Sequence, residues 1–141
     1  MGAREKTLLQ VRVIHVAFVI TWFMFVIVLQ VVLKPSVKAV EPVKLGALAL
    51  AAFSSVSVGW TIRGKMLALS AEALRRDPED RAGLGQWRAA NVLSFAFAET
   101  VMLLGLVLRV MGADWTIAGW FFAAGLILLV LWTPRQESVN S

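Results

Sequence analysis

One acidic residue, Glu99, lies in the middle of an apolar run and is the group in this sequence best suited to do chemistry. The run reads SFAFAETVMLLGLVL over residues 94–108, and Glu99 is its one ionisable side chain. A carboxyl group in that setting can release and regain a proton, or exchange the proton for a cation. Thr100 follows directly, and its hydroxyl is a candidate member of the same polar pocket.

The composition indicates that this carboxyl group lies in a membrane. Of the 141 residues, 59% are hydrophobic and 16% are charged, whereas a soluble domain has roughly 45–50% apolar and about 25% charged residues. A chain this small cannot bury that excess in a core. The net charge is +5, but the basic residues lie between apolar runs. We therefore interpret them by membrane topology and predict a lipid bilayer, not nucleic acid, as the partner.

Several kinds of site are excluded or not expected. The chain has no cysteine, so disulfides, thiolate metal sites and cysteine nucleophiles are excluded. Its one histidine, His15, is three residues inside Arg12, and we expect it to bond water or the backbone near the interface. No phosphate loop, catalytic triad or metal-ligand cluster is visible. We therefore expect no enzyme activity, no catalytic residue, no metal and no cofactor.

Four apolar runs are long enough to cross a membrane, which takes about 20 helical residues. They are residues 13–33, 45–62, 89–108 and 115–132. The second is expected to continue as a cytoplasmic helix to about residue 76, before Pro78 and Gly83 break it. Asp114 is expected to cap the fourth helix. The sequence thus predicts an all-α integral membrane protein, one domain of four transmembrane helices with a tight central antiparallel hairpin.

The basic residues predict the orientation, because loops rich in Lys and Arg stay in the cytoplasm. Ten lie on the side that holds both termini and the 63–88 connection, against four on the other. The ten are Arg4, Lys6, Arg12, Arg63, Lys65, Arg75, Arg76, Arg81, Arg88 and Arg135, and the four are Lys34, Lys38, Lys44 and Arg109. Both termini and the 63–88 connection are therefore predicted to be cytoplasmic.

Rows of small residues predict how the central helices pack, because close contact drives helix association in lipid. The second helix has such residues at every fourth position, namely Ala47, Ala51, Ser55 and Gly59. The third has Ala90, Ser94 and Ala98 at the same spacing. We expect these rows to face each other. The bulky first helix suits a peripheral position, and tryptophans near the run ends (Trp60, Trp87, Trp115 and Trp132) suit the lipid–water boundary.

The depth of Glu99 is close to the bilayer midplane, because about ten residues of its run lie on either side. An ionised carboxyl there costs roughly 2.5–3.5 kcal/mol on insertion scales. Glu99 must therefore take up a proton or find partners. At equal depth on an antiparallel second helix, Ser54 and Ser55 are the expected hydrogen-bond partners, with Thr100. Two interpretations stay open: a group that carries a proton or cation, and a protonated acid that holds helices together.

The central hairpin resembles the proteolipid, or c subunit, of rotary ATP synthases and ATPases. A small-residue helix reads GALALAAFSSVSVGW, a loop reads AEALRRDPED, and a second helix reads AFAETVMLLGLVL. This order is similar to the family's small-residue helix, cytoplasmic polar loop and carboxyl-bearing helix. The resemblance covers about residues 45–110, and the chain has an additional helix at each end. It implies that Glu99 is an ion-binding carboxyl group.

Three functions follow from these observations. The first is a small ion-handling membrane protein of proteolipid-like character, acting on protons or sodium as an oligomer or as a subunit of a complex. The second is a non-catalytic structural or assembly subunit of a larger membrane complex, in which Glu99 only holds helices together. The third is a small proton-coupled antiporter. The expected partners are the bilayer and further copies or other membrane subunits.

Overall fold

The computed structural model describes residues 2–31 and 38–134, and these residues form four α-helices. They are α1 (Ala3–Val31), α2 (Pro42–Arg76), α3 (Arg81–Val110) and α4 (Trp115–Leu131). The described part of the chain has no strand, which confirms the all-α class. Residues 32–33 of the predicted first span, and the basic residues Lys34 and Arg135, lie outside the described residues.

Three of these helices are long and apolar enough to cross a membrane. They are α1, α2 and α3, with mean hydropathies of 2.3, 1.6 and 1.9 in their most apolar windows. The fourth, α4, is apolar but has only 17 residues. At 1.5 Å per residue it is about 25 Å long. The structure thus has the apolar helices that a membrane protein requires.

The helices start earlier than the apolar runs do. Helix α1 begins at Ala3 and α3 at Arg81, whereas the sequence predicted residues 13 and 89. The carboxylate of Asp80 explains the early start of α3, because it accepts hydrogen bonds from the backbone N–H groups of Ala82 and Gly83. Such a cap satisfies donors that the first turn leaves free. Gly83 was wrongly predicted as a break.

Two helix ends were predicted correctly from local chemistry. Helix α2 stops at Arg76, two residues before Pro78, whose ring and missing N–H end a helix. Helix α4 starts directly after Asp114, whose carboxylate accepts a 2.9 Å hydrogen bond from the N–H of Ile117. Gly112, in the short connection between α3 and α4, has a φ of 102°. Glycine reaches this left-handed region without a steric cost.

Helix α3 is the centre of the bundle and contacts each of the other three helices. Its buried residues join a core that extends to Val11 of α1, Leu74 of α2 and Leu129 of α4. Towards the far end, a smaller cluster joins Leu29, Met102, Ala118 and Phe122. Helix α1 buries few residues and touches α4 less than it touches α3. Its position is peripheral, as its bulky sequence indicated.

The rows of small residues do not face each other along their whole length. On α3, Ala90, Ser94 and Ala98 are all buried, whereas Ala47 and Ala51 of α2 are exposed and Ser55 is partly buried. Only Gly59 packs tightly, since a Cβ atom added there would lie 2.9 Å from the Phe97 ring. Residues four apart rotate about 40° around a helix, so the α2 row turns through about 120°. A single straight helix therefore cannot contact all four residues of the row.

Other small residues join α3 to α4. A Cβ atom added at Gly125 would lie 3.0 Å from the carbonyl oxygen of Ala98, so the Ala98 surface faces α4. A Cβ atom added at Gly105 would lie 2.8 Å from the Cβ of Phe121. The close approaches at small residues are therefore divided between α2 and α4.

Two of the four tryptophans that were expected at the lipid–water boundary lie in the core instead. Trp87 and Trp132 are 1% and 2% exposed. Trp87 packs among α1, α2 and α3 because these helices extend together beyond their apolar runs. Trp60 is exposed, and its ring centroid is 6.2 Å from that of Trp132.

Candidate functional site

Glu99 lies on the central helix, and its side chain is partly buried. It is eleven residues before Val110, the last residue of α3. That separation corresponds to about 16 Å along the axis, which is half of a 30 Å hydrocarbon core. The carboxyl group thus lies about 16 Å from the end of a helix that is long and apolar enough to cross a membrane.

The carboxyl group of Glu99 makes no hydrogen bond and no ion pair in the described part of the chain. The neighbouring polar side chains of α3 differ, because each donates to a carbonyl oxygen four residues earlier. Ser94 donates to Ala90 at 2.6 Å and Thr100 to Ala96 at 2.9 Å. An ionised carboxylate has no proton to donate, so helix carbonyls cannot serve it. Only protonated Glu99 can bond in that way.

The serines of α2 are not hydrogen-bonded to Glu99 among the described residues. Ser54 is exposed and Ser55 is partly buried. The contacts of Gly59 with Phe97 and of Gly83 with Ala73 fix the antiparallel register of α2 and α3. By that register Ser57, and neither of the two predicted serines, lies at the depth of Glu99.

The direction of the Glu99 side chain explains why α2 does not supply partners. Phe97 packs against Gly59 of α2, and Glu99 is two residues further, about 200° around the helix. Glu99 thus points away from α2. Hydrophobic run lengths predict depth, but they carry no information on which neighbour covers each face. Thr100 is exposed, and its hydroxyl bonds Ala96, so it does not join Glu99 either.

Glu99 is in line with an open groove between α1 and α3. Arg88 lies three full turns before Glu99 and only about 20° from it around the helix. Arg88 and Val92 line the groove, which has a volume of about 610 Å³. From Arg88 to Glu99 the rise along α3 is about 16 Å. The guanidinium group of Arg88 and the carboxyl group of Glu99 therefore lie on the same face of α3.

His15 and Trp22 attach α1 to α4 through backbone carbonyl groups. The Nε2 atom of His15 is 2.9 Å from the carbonyl oxygen of Leu129, and Trp22 Nε1 donates to that of Phe122 at the same distance. Because a carbonyl only accepts, His15 Nε2 carries the proton in this bond. The His15 ring also packs on Phe95, with ring centroids 4.9 Å apart. The expected backbone partner of His15 is confirmed.

Arg109 is buried at the other end of α3. Its Nη1 donates a 2.8 Å hydrogen bond to the carbonyl oxygen of Ala113, and its guanidinium carbon lies 5.3 Å from the Trp115 ring centroid. The sequence signal for this arrangement is the short Gly-Ala-Asp connection, because it places Trp115, the first residue of α4, close to the end of α3 where Arg109 lies. The contact stabilises a tight connection between α3 and α4.

Comparisons with protein-family models, with curated proteins and with solved structures give no match. Within residues 2–31 and 38–134 no group of three or more His, Cys, Asp or Glu side chains is placed to hold a metal ion.

Proposed function

We propose that this protein is a small ion-handling membrane protein in which Glu99 exchanges a proton, or a proton for sodium. The observation that carries the proposal is the partly buried carboxyl group of Glu99 on the apolar helix α3, which has no hydrogen bond or ion pair in the described residues. Carboxyl groups in the membrane are costly and mark ion pathways by default. The similarity of the hairpin to proteolipids supports the same role for Glu99.

The proposal includes four spans with both termini and the α2–α3 connection in the cytoplasm. The distribution of basic residues supports this orientation. With 17 residues, α4 is at the lower limit for a span. The described part of α4 packs antiparallel to α1, since His15 pairs with Leu129 and Trp22 with Phe122. Helix α4 therefore covers the same depth as the apolar part of α1.

The protein is proposed to work as an oligomer or as a subunit of a larger membrane complex. Ala47, Ala51 and Ser54 are exposed on α2, and small residues let a second helix approach closely in lipid. If this α2 face packs against the Glu99 face of the next chain, Ser54 supplies a hydroxyl group that α2 does not present to Glu99 within one chain.

The alternative is a structural or assembly subunit in which Glu99 only joins helices. Such a role requires a bonding partner for the carboxyl group. None is present within the described residues of one chain, so this alternative needs a partner from another chain. Glu99 also does not join α3 to α2 within one chain, because the side chain that contacts Gly59 of α2 is Phe97.

Carbodiimide labelling tests the proposal in native membranes. Dicyclohexylcarbodiimide reacts with a protonated carboxyl group in an apolar setting, so we expect one label per chain, at Glu99, that declines as the pH rises. Glu99→Gln removes the label, whereas Glu72→Gln, which changes an exposed carboxyl group paired with Arg76, keeps it. Protection by sodium at constant pH would identify sodium as the ion. Absence of labelling at Glu99 at every pH would refute an exchanging carboxyl group.

Flux measurements separate ion handling from a structural role. The parent, Glu99→Gln and Glu72→Gln are extracted with any associated subunits and reconstituted in vesicles that report proton or sodium movement. We expect Glu99→Gln to assemble normally and to lose flux, because the amide keeps the shape of the side chain but cannot ionise. Equal flux in the parent and in Glu99→Gln would contradict the proposal and favour the structural alternative.

A further inference from the structure

Two adjoining cavities form one continuous groove between α1 and α3. The larger has a volume of about 610 Å³ and the smaller about 290 Å³, and both are lined by Gln10, Gly85 and Arg88. Gly85 forms an open part of the wall, because a Cβ atom added there would have no other atom within 4 Å. The groove is separate from Glu99, which lies further along α3.

One end of the groove is basic. Lys6, Arg81 and Arg88 line it, and all three are exposed. The described residues that line either cavity include no acidic side chain. Arg88 Nη1 donates a 3.1 Å hydrogen bond to Gln10 Oε1, which orients the guanidinium at the junction of the two cavities. Guanidinium groups bind phosphate oxygens through charge-assisted hydrogen bonds.

The other end of the groove is apolar. It is lined by Leu9, Val13, Ile14, Ala89 and Val92. Along α1 the distance from Lys6 to Ile14 is about 12 Å. That distance covers the change from the headgroup region of a bilayer, roughly 5–8 Å thick on each side, to the hydrocarbon region. A phosphate group at the basic end would therefore stand at headgroup depth, with an acyl chain beside the apolar wall.

We propose that this groove binds one anionic phospholipid of the leaflet that surrounds the amino-terminal end of α1. The three basic side chains hold the phosphate-containing headgroup, and the apolar wall holds an acyl chain. A free anion such as inorganic phosphate would occupy only the basic end. The charge pattern and the depth together select a lipid that has both parts, and this proposal is independent of the role of Glu99.

Native mass spectrometry of the purified protein, delipidated and then titrated with phosphatidylglycerol or phosphatidylcholine, tests this proposal. We expect one phosphatidylglycerol per chain to remain bound preferentially. Arg81→Gln combined with Arg88→Gln should lower that affinity roughly tenfold or more, because each basic residue near an anionic lipid contributes about 1 kcal/mol. The matched control is Arg12→Gln, an exposed basic residue at similar depth that is not among the residues lining the groove.

A second pair of variants tests the apolar end without changing charge. Gly85→Leu fills the groove and should lower the affinity, whereas Gly64→Leu, also at an open position in a long helix, should not. Equal binding by the groove variants and their controls would show unspecific annular lipid and overturn the proposal. Displacement of the lipid by millimolar inorganic phosphate would also overturn it, since the site would then recognise an anion alone.

Discussion

Replacing Gly105 by alanine should push α3 and α4 apart. An added Cβ atom would lie 2.8 Å from the Cβ of Phe121 and 3.2 Å from the carbonyl oxygen of Ala118. Carbon atoms attract each other best at about 3.5–4.0 Å. A Cβ atom cannot rotate away, because it is fixed to its backbone, so relief requires movement of a whole helix.

The size of the effect follows from two opposing contributions. Alanine is favoured over glycine in a helix interior by about 1 kcal/mol. Overpacking of a tight core costs about 1–3 kcal/mol. At Gly119 of α4 the added atom would meet nothing within 4 Å, so only the favourable contribution applies. We expect Gly105→Ala to have a free energy of unfolding about 1–3 kcal/mol below that of Gly119→Ala.

Reversible unfolding in mixed micelles measures that difference. The protein is titrated with a denaturing detergent, and tryptophan fluorescence follows separation of the helices, since Trp115 and Trp120 lie on α4. Gly105→Leu should unfold at a lower denaturant fraction again. Equal unfolding free energies for Gly105→Ala and Gly119→Ala would refute the inference that α3 and α4 meet closely at Gly105.

Four further substitutions test the packing and the helix ends. In the monomeric chain, Ala98→Leu should lower the free energy of unfolding by about 1–3 kcal/mol, whereas Ala51→Leu at an exposed site should stay within about 0.5 kcal/mol of the parent. Equal losses in unfolding titrations would contradict the burial difference. Trp22→Phe should cost about 0.5–1.5 kcal/mol through the lost hydrogen bond to Phe122, and an unchanged unfolding midpoint would count against that bond. Asp80→Ala should cost about 0.5–2 kcal/mol through the lost cap and speed hydrogen exchange in the first turn of α3, with unchanged exchange as the contrary result.

Features governed by local chemistry could be read from the sequence. The number and type of the described helices, the stop before Pro78 and the cap at Asp114 follow from apolar run length, proline geometry and a single side-chain oxygen. The starts of α1 and α3 could not be read in this way. The first turn of α1 is polar and is held by the α2–α3 connection, since the Ala3 N–H donates a 3.0 Å hydrogen bond to Glu79, and the start of α3 depends on the Asp80 cap.

The sequence predicts the position of Glu99 along its helix, but not the neighbours of its side chain. Run length predicts how far Glu99 lies from the ends of its apolar run, because each helical residue adds a fixed rise. Its partners depend on which neighbour covers each face of α3, and that order comes from packing in three dimensions. The register differs by two residues from the predicted one, so Ser57, and not Ser55, lies level with Glu99 on α2. Glu99 is also about 200° around α3 from Phe97, and it therefore points away from α2.

The central place of α3 has a consequence for assembly during synthesis. Helices α1 and α2 are synthesised before α3, yet they touch each other only slightly, and each has its main contact with α3. On the proposal that these helices span a membrane, α1 and α2 stay separate until α3 is inserted between them. A nascent chain arrested before Arg81 should remain open to proteolysis and to quality-control enzymes of the membrane, whereas one arrested after Val110 already contains the helix that joins the first two.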